Sequence, residues 1–309
     1  MDYWGETMDY CFSRLEERIN DAIERTDIQE LFNNLKGIDT PTIATGVGGS
    51  GIVSSYFCKV LSAKNSIICT DVTPRDLLYK PLNGYKNVIA CSYSGKNIGV
   101  KASFSNDLKK YLFSINTIDG TVPLQYRVGD EEESFVSVAG TLIPMSLLFL
   151  YYTDGDINLL KDILHSDFSW DCIPSSKVVE VLYGYEQCTA AKLLESTMTE
   201  GGLAAPVLHD KYDYCHGRCK LNDSQNNDLI YFRSKNELDD LFMKELPIFY
   251  DSVTVLNSRY TDIVINDFYL SYATLLLCKK MAEAEGKDLS KKIVPDISEK
   301  LYLFNGQLK

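Results

Sequence analysis

The chain has 309 residues, 45% hydrophobic and 24% charged, and its 31 basic against 43 acidic side chains leave a formal net charge of −12. That supplies a large α/β core or two smaller ones and excludes a disordered, collagen-like or low-complexity chain. An acidic sequence with no Lys/Arg block is also a poor nucleic-acid binder, because backbone affinity comes from neutralising many phosphates at once.

Residues 8–35 set Cys11, Leu15, Ile19 and Ile23 four apart, followed by Ile28, Leu31, Phe32 and Leu35, the stripe of one or two amphipathic helices. Lys36-Gly37 and Pro41 end that section. Thr42-Ile43-Ala44 then reads as a strand running into Gly46-Val47-Gly48-Gly49-Ser50-Gly51 and a helix over 52–63. A second strand is predicted over 66–72, a helix start at Pro74-Arg75-Asp76-Leu77-Leu78, and a third strand over 87–92 that closes in Ser92-Tyr93-Ser94-Gly95-Lys96-Asn97. A helix over 98–110, strands over 111–116 and 122–128, and an apolar run over 135–152 follow. That run carries Ser137, Gly140, Thr141, Pro144 and Ser146, so it reads as a core helix and not as a membrane span. In the second half the pattern predicts a long helix over 177–199, an irregular connection over 200–227, strands over 228–232 and 252–256, and helices over 237–245 and 266–285.

Strands alternating with helices imply an α/β protein: two flavodoxin-like, doubly wound parallel sheets packed as one body, the second half reduced. We place N-terminal helices over 1–36, a first α/β domain over 37–160 and a second over 161–309, with the boundary inside 154–176. Nine scattered cysteines, several in apolar runs such as Ile67-Ile68-Cys69, read as reduced core residues. Met1-Asp2-Tyr3-Trp4 lacks the basic and apolar start of a signal peptide, so a cytoplasmic home is expected.

Ligands of such sheets lie at the carboxyl ends of strands, where both bends of the first half fall. In the first bend, glycines admit close backbone approach and the following helix start offers N–H donors. The pattern departs from G-x-G-x-x-G, although Asp71 lies near the spacing of a ribose-binding acid; a tight turn with no ligand is the plain alternative. The second bend joins two hydroxyls, a glycine and an amide into a cradle for a phosphate monoester, though Ser and Asn are also ordinary helix caps. No glycine occurs over Trp170–Ser176, so only the first half is expected to carry such a bend.

The two bends together resemble the sugar isomerase (SIS) domain family of phosphosugar binders, in order and over nearly the whole chain after residue 36. One strand ends in Gly48-Gly49-Ser50, a later one in Ser92-x-Ser94-Gly95, and Glu133-Ser134-Phe135-Val136-Ser137-Val138 is similar to the acidic turn that closes the same pocket. The resemblance implies phosphate on Ser92, Ser94 and Asn97, with sugar hydroxyls near Gly48, Gly49, Ser50 and Glu133. The second half resembles the second SIS domain of the isomerase module of glucosamine-6-phosphate synthases, in which a helix carries Lys-x-x-Glu and a His-Gly pair follows. Here these are Lys192-Leu193-Leu194-Glu195 and His216-Gly217. The family's roles would make Glu195 the base that moves a proton between adjacent carbons, His216 the acid/base for ring opening and Lys192 the Schiff-base lysine. By residue pattern alone, Lys and Glu three apart are a solvated helix face and His before Gly a loop residue.

Several positions depart from that pattern. Arg218 stands where the synthases usually carry proline, Asn97 where a threonine often helps hold phosphate, and Lys96 where an acid is found. Residue 2 is Asp and not a nucleophilic Cys, so a complete glutamine-dependent synthase is not expected. His209, Cys215, His216 and Cys219 could form a mixed zinc set, but their spacing fits no common zinc module. The reading is then a sugar-phosphate or aminosugar-phosphate enzyme, an aldose–ketose isomerase or ketosamine-phosphate deglycase, needing neither cofactor nor metal. The resemblance also implies a homodimer with a shared active site. A non-catalytic phosphosugar sensor is the alternative, favoured by Arg218 and the missing second bend.

Overall fold

The computed structural model describes residues 6–220 and 227–291. The chain divides into two compact units, Met1–Ile157 with Ser290–Lys309, and Asn158–Leu289.

Unit 1 begins with α1 (Met8–Ser13), α2 (Leu15–Arg25) and α3 (Ile28–Lys36), the one or two predicted helices divided into three. Thr7 and Asp27 start α1 and α3, accepting the N–H groups of Tyr10 (3.2 Å) and Glu30 (2.9 Å). Leu15, Ile19 and Ala22 form the buried stripe of α2. Five strands follow: β1 (Thr42–Thr45), β2 (Cys69–Val72), β3 (Asn87–Cys91), β4 (Lys109–Ser114) and β5 (Val122–Gln125). All pair in parallel in the order β2-β1-β3-β4-β5, and β1 and β3 are buried throughout, as central strands covered on both faces must be. The helices of this layer are α4 (Gly49–Lys64), α5 (Ile98–Ser103) and α6 (Ala139–Tyr152). α6 is buried from Thr141 to Tyr151 and carries Pro144; no described helix is long and apolar enough to cross a membrane.

After α7 (Ile157–Leu164), unit 2 runs β6 (Val178–Tyr183), α8 (Cys188–Glu200), β7 (Ala205–Asp210), α9 (Lys211–Cys215), β8 (Asp228–Arg233), α10 (Glu237–Glu245), β9 (Ser252–Asn257) and α11 (Ile263–Ala284). Its four strands are parallel in the order β7-β6-β8-β9. Two doubly wound parallel sheets, the second one strand smaller, are thus the architecture that the alternating pattern implied.

Several elements differ from the sequence reading. The long helix predicted over 177–199 is instead a strand, a turn and a helix. Val178, Val179 and Val181 favour a strand, Gly184 breaks the run, and Glu180, whose charge makes the segment look helical, is buried on β6 with its carboxylate accepting from Tyr250 Oη at 2.7 Å. The connection over 200–227 contains β7 and α9, with 221–226 outside the described residues. The strand over 66–72 begins only at Cys69, Ser66 having φ +54°, and the helix over 98–110 ends at Ser103. The helix start after Pro74 amounts to one 3-10 turn over Asp76–Leu78.

Candidate functional site

β1 and β3 are neighbours, with Thr45 opposite Ala90, so the bends that follow them face one crevice. In the first bend Gly46 is required by space, since a Cβ there would fall on the Ser50 carbonyl. Gly48 is required by conformation, with φ +58°. Val47 and Gly48 carbonyls accept from Ser50 (3.2 Å) and Gly51 (2.8 Å), which winds the chain into α4.

The second bend is held from inside. Ser92 Oγ accepts from Gly95 N–H at 3.1 Å and Ser94 Oγ from Lys96 N–H at 3.3 Å, while Gly95 takes φ +70°. Asn97 Oδ1 accepts from Gly99 N–H at 2.7 Å and starts α5. Each serine oxygen is therefore fixed as an acceptor and keeps its O–H to donate outward, and Asn97 keeps its NH₂. Ser114 and Asn116, at the end of β4, brace the loop by donating to the Tyr93 (2.8 Å) and Ser94 (3.0 Å) carbonyls.

Thr45, Val47 and Ser50 line the crevice on one side, Ser92, Asn97 and Gly99 on the other, with Pro74 beside them. The free volume between them is about 20 Å³, space for about one water molecule. Val47, 51% exposed, narrows it by lying against Gly99. At its floor Thr45 is fully buried and its hydroxyl has no hydrogen-bond partner. Sequence reasoning passed over Thr45, whose only local signal is a hydroxyl closing an apolar strand. Cys91 also lines the crevice, and burial followed by the Asp71 charge pushes its thiol well up, keeping it protonated. Burial, with Glu131 and Glu132 adding to it, pushes the Tyr93 phenol up to about 12.

The acidic turn before α6 works through a different residue from the one singled out. Glu133 is exposed. Its neighbour Glu132 accepts from Val138 N–H (2.9 Å), Gly140 N–H (3.0 Å), Ser134 Oγ (2.8 Å) and Ser137 Oγ (2.9 Å), closing the α6 N-terminus with a carboxylate.

In unit 2, Lys192 and Glu195 lie one turn apart on α8, Lys192 half-buried and Glu195 exposed. His216 is exposed at the end of α9, its N–H on the Asp213 carbonyl at 3.0 Å. His209 is buried on β7, where Arg218 Nη1 donates to its Nδ1 at 3.3 Å. Burial lowers the pKa of the His209 ring below that of an ordinary histidine, with Glu180 opposing and Arg218 adding to it. Cys215 and Cys219 are exposed, and no group of three or more His, Cys, Asp or Glu among the described residues is placed to hold a metal.

The glycine sought over Trp170–Ser176 belongs elsewhere: the bend after the first strand of unit 2 starts at Gly184, after β6. There the N-terminus of α8 is closed by Asp267, fully buried on α11, which accepts from Thr189 N–H (3.2 Å) and Ala190 N–H (3.0 Å).

No protein-family model matches the sequence, and no curated protein does. Solved structures do match in fold. The C-terminal domain of glucosamine-fructose-6-phosphate aminotransferase from Francisella tularensis has a TM-score of 0.67 at 13% identity, over 94% of this chain and 99% of that one. Tagatose-6-phosphate ketose/aldose isomerase from Escherichia coli has 0.67 at 14%, over 94% and 96%. Glucosamine-6-phosphate deaminase from Thermotoga maritima has 0.59 at 15%, over 90% and 97%. The chain thus has the double SIS-type fold that these proteins share.

Proposed function

We propose that the protein binds a monophosphorylated sugar or aminosugar in the crevice of unit 1. The observation that carries this reading is the Thr45 hydroxyl, buried without a partner in a cleft also lined by Ser50, Ser92 and Asn97. An unmet buried hydroxyl is costly, and a ligand oxygen would relieve it. The narrow free volume sets how binding proceeds. Val47 and the 92–97 bend must part to admit a phosphate, so ligand stabilises a wider state of the cleft. The fold shared with three sugar-phosphate proteins supports the same ligand class.

Binding without turnover is the reading the geometry favours. Glu195 and His216 are both exposed, without the burial that general-base catalysis relies on. Isomerisation or deglycation by proton transfer, with Glu195 as base, His216 opening the ring and Lys192 as the amine, is the second reading, supported by Lys192 and Glu195 sharing one face of α8. A homodimer that shares the site belongs to this second reading. Thermal-shift screening against a sugar-phosphate panel tests binding, since a ligand of the native state raises the midpoint. Exchange of a substrate C–H into deuterated water separates the two: Glu195→Gln should keep the shift and abolish any exchange. Binding with no exchange in the wild type leaves the sensor.

A further inference from the structure

The carboxyl edge of the unit 2 sheet holds a cavity of about 370 Å³ where β6, β8 and β9 end and α11 begins. In the order β7-β6-β8-β9 the chain leaves β6 to one side and returns on the other. The mouth between β6 and β8 is therefore the topological switch point, where such sheets take ligands, and the volume is that of a small-molecule site.

The N–H groups that would face an anion are taken by the chain's own carboxylates. Asp267 closes α8, Asp239 accepts from Ser234 N–H at 2.6 Å after β8, and Asp262 accepts from Val264 (2.9 Å) and Ile265 (3.0 Å) at the start of α11. Arg259 is committed as well, to Asp162 Oδ2 and Ser166 Oγ at 2.8 Å each. The walls include the Glu186 carboxylate, positioned by the Ser234 hydroxyl at 2.6 Å, two tyrosine rings and, beside Ser234, the exposed Lys235. Tyr185 is 63% exposed; Tyr260 is held edge-on to Tyr269, 5.6 Å between centroids, and donates its O–H to Asp162 at 3.2 Å. The Arg259 guanidinium lies over the Tyr260 ring at 5.4 Å from the centroid, which leaves one ring face to a ligand. A carboxylate accepts from vicinal hydroxyls, and an aromatic face covers the C–H face of a saturated ring.

We propose that this cleft binds an unphosphorylated sugar ring, hydroxyls on Glu186 and ring face on Tyr185 and Tyr260, at a site separate from the crevice of unit 1. Hydrogen–deuterium exchange of the full chain, read by peptide, tells the two apart. One of glucose, galactose, mannose or glucosamine at millimolar concentration should slow exchange over 184–187, 234–236 and 258–261 and leave 46–51 and 92–98 unchanged. Glu186→Gln, nearly isosteric, and Tyr185→Ala, at an exposed position, should each weaken that protection about tenfold. Three outcomes overturn the proposal: no protection of unit 2 by any of the four sugars, equal protection in both variants, or protection by adenosine and by none of the sugars. Protection of 46–51 alone by glucose 6-phosphate leaves the reading of unit 1 standing while this one fails.

Discussion

The two units carry the same crevice at the same topological place and finish it in opposite ways. In unit 1 the bends after β1 and β3 are lined by glycine, serine and one unpartnered threonine hydroxyl, and α4 starts with no side-chain cap. In unit 2 the corresponding helix, α8, starts on a buried carboxylate from α11, although the Thr189 hydroxyl in its first turn is also buried without a partner, and the bend after β8 rests on Asp239. A helix N-terminus has to be satisfied by something. At α8 a buried carboxylate of the chain does this, while at α4 no side chain does. The difference teaches that two sheets of the same strand order can satisfy their helix starts in different ways, one with a distant carboxylate and one without a side-chain cap.

The sharpest break in that comparison should come from Gly46→Ala, since its Cβ would meet backbone at Ser50 with nothing flexible to yield. A cost of about 3 kcal/mol is expected, lowering the melting midpoint by roughly 6–12 °C and abolishing sugar-phosphate binding. Next in size is a pair of opposite sign. Asp267→Ala leaves two buried N–H groups without an acceptor and should destabilise by about 2–3 kcal/mol in denaturant titration. Thr45→Val removes an unmet hydroxyl and should stabilise the unliganded protein by ~1 kcal/mol while weakening phosphosugar binding. Loss of stability in Thr45→Val would remove the case for a ligand oxygen there.

Acid gives a smaller effect. Burial lowers the His209 value in the folded protein, so unfolding takes up the proton first. The stabilisation from keeping that ring neutral is complete above the unfolded value of about 6.5 and is lost as pH falls from there through the folded value. Denaturation curves between pH 8 and 5, taken as approximate limits around that value, should steepen less in His209→Gln. The smallest expected change is in Val47→Ala, which widens the mouth and should tighten sugar-phosphate binding a few-fold by calorimetry.

Much of unit 1 was legible from residues 42–152 because each strand there is a short apolar run with a glycine or serine bend after it. Ser50, Ser92 and Asn97 line one crevice at neighbouring strand ends, since a parallel sheet places consecutive bends on one edge, whereas Gly48, Gly49 and Ser94 are not in its lining. Unit 2 was harder. β6 hides behind Glu180, an acid in the middle of a central strand whose carboxylate accepts from Tyr250, 70 residues further on, and from Asn227. Missing β6 moved the expected glycine bend to the wrong place. Of the adjacent acids, only Glu132 turns back to the α6 start, which no local sequence signal tells apart from Glu133.

Local pattern by itself determined the α/β alternation, the two hydroxyl-bearing bends and the glycines they need, because each reports what a few consecutive backbone units must do. Tertiary structure alone decided which helix starts stay open. Asp267 reaches Thr189 across 78 residues of chain, and Thr45 lacks a partner only because nothing from elsewhere in the fold was brought to it. Hydrogen-bond satisfaction in a buried crevice depends on groups distant in the chain, so it is written in the packing and not in any window of the sequence.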